Sequence, residues 1–159
     1  MRIDRAACKS FWRSYLAQLP AGHPHHAVRP DAFGFGAELG VADELAALVL
    51  AGCKRATTSL PVQYTALGEP LPQPGDLSII LQGDGVPVAI IERTRIETKP
   101  FEEVDAAYAA IEGEGDGSLA QWRAGHMAYF GAVCERRGEQ FDPRMPVLCQ
   151  EFRVVWPPT

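Results

Sequence analysis

Apolar positions at the start of the chain recur at helical spacing. Ala7, Phe11, Tyr15 and Leu19 fall every four residues, and Trp12 and Leu16 widen the stripe, which predicts a helix over 4–19 with Asp4 as its N-cap. The next stretch, LPAGHPHHAVRPDAFGFG, is broken by proline and glycine and is expected as a loop. A second helix is predicted over 42–51: Leu45, Leu48 and Val49 share a face, Asp43 and Glu44 occupy the first turn, and Gly52 suits the position just past the end. The pattern then turns to strands. LPQPGD at 71–76 is a turn, LSIILQG a strand, GDG a hairpin turn and VPVAIIERTRIE a longer strand. PFEEVDAAYAAIE restores helical spacing through Phe101, Val104, Tyr108 and Ile111. After the acidic, glycine-rich loop EGEGDGS, 112–118, a long helix is expected with Leu119, Trp122, His126, Phe130 and Val133 on its face, ending near Gly138. Ser118 and Gln121 stand at capping-box spacing. PVLCQEFRVVW, 146–156, is the last strand, closed by Pro157 and Pro158.

Helices first, strands in the middle, more helix and a closing strand predict an α+β fold: a small, mostly antiparallel β-barrel with flanking helices. A length of 159 residues fits one domain, and a formal net charge of −5 argues against a polycation that grips duplexes non-specifically, though a local basic cleft is compatible with it. Cys8, Cys53, Cys134 and Cys149 form no CxxC pair and no zinc-ribbon spacing. No apolar segment follows MRIDRAACKS, and no run has the length of a membrane span. A cytoplasmic protein with reduced thiols and no membrane partner is expected.

Chemistry is sparse along the chain. His23, His25 and His26 lack an acidic or cysteine partner at short ligand spacing and read as a solvated loop, so no metal ligand is assigned. No Walker A, GxSxG, HExxH or EF-hand pattern occurs, and FGFG at 33–36 lacks the rest of a phosphate loop. Polar residues gather at element ends instead. Lys54 and Thr57 lie three apart where the second helix gives way to a strand, either as a cap and a strand former or as the start of a site. Ser118 reads as an N-cap, a role compatible with anion contact at the helix start. Arg123 and His126 can share a face of that helix. Glu92 and Glu97 read as solvent-facing strand residues.

GCKRAT, with Gly52, Lys54 and Thr57, resembles the GxKxxT/S motif of the ASCH domain family. EGEGDGSLAQWRAGHMAYF and PVLCQEFRVV follow at the spacing of its longer bacterial branch. The resemblance covers roughly 33–156 and divides the chain into an N-terminal helix-and-loop extension, 1–32, and an ASCH domain, 33–159. It implies a PUA-like barrel in which the Lys54 segment faces the EGEGDGS loop across a cleft. It also implies an association with RNA, with ribonuclease activity assisted by a divalent ion (manganese or magnesium) in some members. A shorter branch resembles an amidohydrolase acting on N4-acetylcytidine, with the motif lysine as base, the threonine as nucleophile and a glutamate as proton donor. Carried over, Lys54 is the base, Thr57 the nucleophile and Glu114, ahead of Glu112, the acid. Ser118, Arg123 and His126 are suited to phosphate contact, Asp116 to a metal ion or a proton, and Gly52 and Tyr64 to substrate binding, with Tyr64, Trp122 and Tyr129 as aromatic surfaces for a base. The expected function is hydrolysis of single-stranded RNA in that cleft. The alternatives are an amidohydrolase acting on a nucleoside-like small molecule and a non-catalytic binding module. No protein partner is predictable.

Overall fold

The computed structural model describes residues 1–36 and 39–158; Ala37, Glu38 and Thr159, which fall in the expected 33–159 domain, lie outside the described residues. The helices are α1 (Arg5–Leu16), α2 (Leu39–Leu50), α3 (Val62–Thr65), α4 (Ala106–Glu112) and α5 (Leu119–Glu135). The strands are β1 (Asp31–Phe33), β2 (Ala56–Ser59), β3 (Leu77–Leu81), β4 (Pro87–Pro100) and β5 (Pro146–Trp156). The strands form one mixed sheet in the order β1-β3-β4-β5-β2. β3 and β4, and β2 and β5, are antiparallel, while β1 runs parallel to β3. The α+β class holds. β1 and β2 are edges among the described residues, so the sheet is open where a closed barrel was expected.

The chain forms two compact units, and β4 and β5 each pass from one to the other. The first comprises 1–52, 75–93 and 152–159. Its β3, LSIIL, is buried at every position because helices cover both faces. Leu77, Ile79 and Leu81 cluster with Cys8 and Tyr15 of α1, and Ile80 clusters with Leu45, Ala46 and Val49 of α2. An apolar run rather than an alternation is what such a strand requires. Asp4 caps α1 by accepting from the Ala7 amide at 2.9 Å, as its position predicted. Gly52 ends α2 at φ +74°, in the left-handed region that glycine adopts without strain. The predicted loop before α2 contains β1, too short at three residues to show a period.

The second unit comprises 53–74 and 94–151. Its core is aromatic: Phe101, Tyr108, Trp122 and Phe130 pack with Val104, Val133 and Val147. The single helix expected over PFEEVDAAYAAIE is two elements, a 3-10 turn at Phe101–Glu103 and α4. Asp105 divides them because its side chain accepts from the Tyr108 amide at 2.9 Å and caps α4. Ser118 caps α5 by accepting from the Gln121 amide at 3.2 Å. The reciprocal half of a capping box does not form. Gln121 Oε1 accepts from the Asp116 amide instead, at 2.5 Å, and Asp116 Oδ1 takes the Ser118 amide at 2.8 Å.

Candidate active site

The second unit holds a buried ionic group built from the end of α4, the start of β2 and the middle of α5. Gly113, φ +70°, caps α4, and a Cβ there would sit 2.1 Å from the Cys53 carbonyl oxygen. Only glycine permits that approach. The Arg55 amide donates to the Ile111 carbonyl at 3.0 Å and fixes the segment between them. Lys54 is therefore turned inward and 1% exposed. Its ammonium donates to the Ala56 carbonyl (2.8 Å), Glu112 Oε1 (3.4 Å) and Glu114 Oε1 (2.5 Å).

Glu112 is the hub. Its Oε1 also faces His126 Nε2 at 3.1 Å, and its Oε2 accepts from Thr58 Oγ1 at 2.8 Å and Trp122 Nε1 at 2.7 Å. Burial raises its pKa, but Lys54 and the bonds from His126 and Trp122 outweigh that and hold it down at about 2. His126 Nδ1 faces the Trp122 carbonyl at 2.9 Å. Both of its ring nitrogens thus meet atoms that only accept, and the imidazolium alone donates to both. Burial lowers the His126 pKa, yet hydrogen bonding and charge from Glu112 prevail and raise it. Lys54 and His126 stand against Glu112 and Glu114 in one group.

The placement of the sequence-predicted residues is uneven. Lys54, Glu114 and His126 come together with Glu112. Thr57 does not join them: side chains alternate along β2, and Thr57 shares the opposite face with Ser59 and with its register partner Gln150. The hydroxyl that reaches the group is Thr58. Tyr64 lies with the Thr57 face, its hydroxyl 3.1 Å from Ser59 Oγ and 3.0 Å from Gln150 Nε2. Arg123 donates to the Glu102 and Val104 carbonyls at 3.3 and 3.4 Å and ties the 3-10 turn to α5. Ser118 and Asp116 are engaged with the start of α5, and bonds from Ser118 hold the Asp116 carboxyl below its usual range. Gly52 contributes no side chain. Trp122 is 6% exposed and built into the core, which removes it as an open stacking surface. Glu92 pairs with Arg153 at 2.6 Å.

Tyr108 was read from its spacing as an apolar stripe residue and is more than that. Its hydroxyl donates to the Thr57 carbonyl (2.9 Å), accepts from the Gln150 amide (3.2 Å) and lies 3.1 Å from Thr58 Oγ1. Burial pushes its pKa far up, so it stays protonated. The signal available was i, i+4 spacing, which puts Tyr108 with Glu112 and Trp122 with His126 on shared helix faces. On its other side Tyr108 lines a cleft of about 330 Å³ with Arg95, Lys99, Asp105 and Cys149. Burial pushes the Cys149 thiol up to about 12. All four cysteines are free; Cys53 is exposed and the others are buried.

A divalent ion fits this group poorly. Both carboxylates face the Lys54 ammonium, and among the described residues no cluster of three His, Cys, Asp or Glu side chains could hold a metal.

The ASCH domain family model matches residues 31–156, and the chain belongs to that family. The chain is similar to the crystal structure of an ASCH domain from Lactobacillus crispatus JV V101, with 34% identity, 95% of each chain covered and a TM-score of 0.89. It is also similar to a protein from Enterococcus faecalis V583, with 32% identity, 94% of this chain and 88% of that one covered and a TM-score of 0.83. No curated protein matches it.

Proposed function

We propose that this ASCH domain protein hydrolyses single-stranded RNA at Lys54. The carrying observation is the burial of Lys54 between two carboxylates. A module that held RNA by charge alone would leave its lysine in water, where ammonium desolvation costs nothing. Burial with strongly shifted neighbours is instead the pattern of sites that move protons or stabilise developing charge. Lys54 would neutralise charge building on a phosphate oxygen, and Glu114, the more exposed carboxylate, would exchange a proton. Glu112 and His126 hold Lys54 in position without touching substrate. The free thiols support a cytoplasmic setting.

The test is cleavage of labelled single-stranded RNA by wild type and Lys54→Met. The variant keeps the volume of the lysine stem, and Glu112 remains balanced by His126, so folding, checked by circular dichroism, is expected to survive. Cleavage is expected to fall at least about a hundredfold, the scale of removing a group that stabilises transition-state charge. Equal cleavage by both proteins overturns the reading.

One observation favours a second reading. The Thr58 hydroxyl lies 2.8 Å from Glu112 Oε2 in the same group, a hydroxyl at hand where Thr57 offers none. N4-acetylcytidine is the substrate on this reading, with Lys54 as base once it has passed its proton to Glu114, Glu114 as proton donor and Thr58 in place of Thr57. Acetate release that stops in Lys54→Met would favour it over RNA cleavage, and binding without turnover of either substrate would leave a non-catalytic module.

A further inference from the structure

The Lys54 side chain has no accessible surface, so a substrate reaches its ammonium only if a present partner leaves. The two carboxylate partners are held very differently. Glu112 is 1% exposed and bonded by Thr58, Trp122 and His126 as well as by Lys54. The Glu114 side chain is 34% exposed and rides a loop whose Gly113, Gly115 and Gly117 have φ values of +70°, +57° and +75°. Bonds among exposed groups close that loop: the Asp116 amide to Gln121, the Ser118 amide to Asp116, and the Gly117 amide to the Glu114 carbonyl. Water replaces such bonds at little cost, so this segment is among the easiest parts of the unit to open.

Charge then says what must enter. With Glu114 gone, Lys54 loses one carboxylate partner while its ammonium stays buried, and the charge taken away is a single negative one. An incoming group must carry one negative charge and offer an oxygen to an ammonium. A phosphodiester carries one such charge, matching the carboxylate it replaces. A free phosphate or terminal monoester, at about −1.5 to −2 near neutral pH, overfills the site.

We propose that Glu114 occupies the place of a backbone phosphodiester, and that single-stranded RNA binds by displacing it from Lys54. The proposal rests on the functional reading above and names how the site is kept closed when empty. The displaced Glu114 stays beside the bound phosphate and open to water, where a proton acceptor is needed.

The experiment measures fluorescence anisotropy of a labelled, 2′-O-methylated single-stranded oligonucleotide on wild type, Glu114→Gln and the Glu114→Gln/Lys54→Met double variant. The double variant leaves Glu112 paired with His126, so its charges remain balanced. Glu114→Gln is expected to bind about tenfold more tightly than wild type, and the double variant to lose that gain. Inorganic phosphate at millimolar concentration is expected to compete weakly. Hydrogen exchange at the Asp116 and Ser118 amides is expected to speed up in the wild-type complex. Equal or weaker binding by Glu114→Gln overturns the displacement, as does strong competition by inorganic phosphate. In either case, RNA cleavage that still depends on Lys54 leaves the functional reading standing. Cleavage independent of Lys54 removes the reading and the displacement together.

Discussion

At the residue scale, Glu112 decides the most. Glu112→Gln would take away the carboxylate that Lys54 and His126 share, and breaking a buried pair in this way costs about 3–5 kcal/mol, measurable by urea unfolding. Its pH dependence has a defined sign. The Glu112 pKa is about 2 in the fold against an ordinary 4.5, so its contribution is complete above 4.5 and drains away as pH falls towards 2. His126 is opposite: its pKa is raised from 6.5, so its contribution is complete below 6.5 and is lost as pH climbs through the folded value. Thermal midpoints should therefore decline on both flanks, and His126→Gln should flatten the alkaline one. Lys54 was legible only through the resemblance of GCKRAT and EGEGDGSLAQWRAGH to the family's motifs, since its spacing alone suits a helix cap as well. The resemblance ranks Glu114 ahead of Glu112, and spacing alone cannot tell a helix's last carboxylate, aimed inward, from a loop carboxylate two residues on. Thr58 was hidden behind Thr57 for want of strand phase: only the pairing of Thr58 with Cys149 shows which of two adjacent threonines faces the ionic group.

At the scale of elements, hydrogen-bonding side chains rather than apolar patterning explain the departures from expectation. Asp105 cut a periodic stretch that reads as one helix. Gln121, at capping-box position, serves the loop before Ser118 rather than the helix behind it. Ser118→Ala should cost about 1 kcal/mol, the usual worth of an N-cap, with α5 fraying visible in amide exchange. Tyr108→Phe should cost more, about 1–3 kcal/mol, because the hydroxyl's bonds to the Gln150 amide and the Thr57 carbonyl both go. Strands β3, β4 and β5 were legible because long apolar or alternating runs carry their own signal. β1 was not, since three residues among prolines and glycines become a strand only by lying beside β3.

For the whole molecule, element order was enough to place the chain in the α+β class, but not to give the strand order β1-β3-β4-β5-β2, because pairing between distant segments leaves no local trace. Among the described residues no helix is long and apolar enough to cross a membrane. The net charge of −5 bears on RNA binding as well. Affinity drawn from a few phosphates, at about −0.7 in the log–log salt slope for each, should fall gently, with a total slope of roughly −1 to −2. A steep slope in salt titration would mean an extended basic track and would contradict the proposed contact at one buried lysine. The thiols carry a last, practical consequence. Three are buried and Cys53 alone is exposed, one residue before Lys54 and with its carbonyl against Gly113. A maleimide dye added to the unaltered protein would therefore settle beside the acidic loop, and its emission would report in real time on the proposed departure of Glu114.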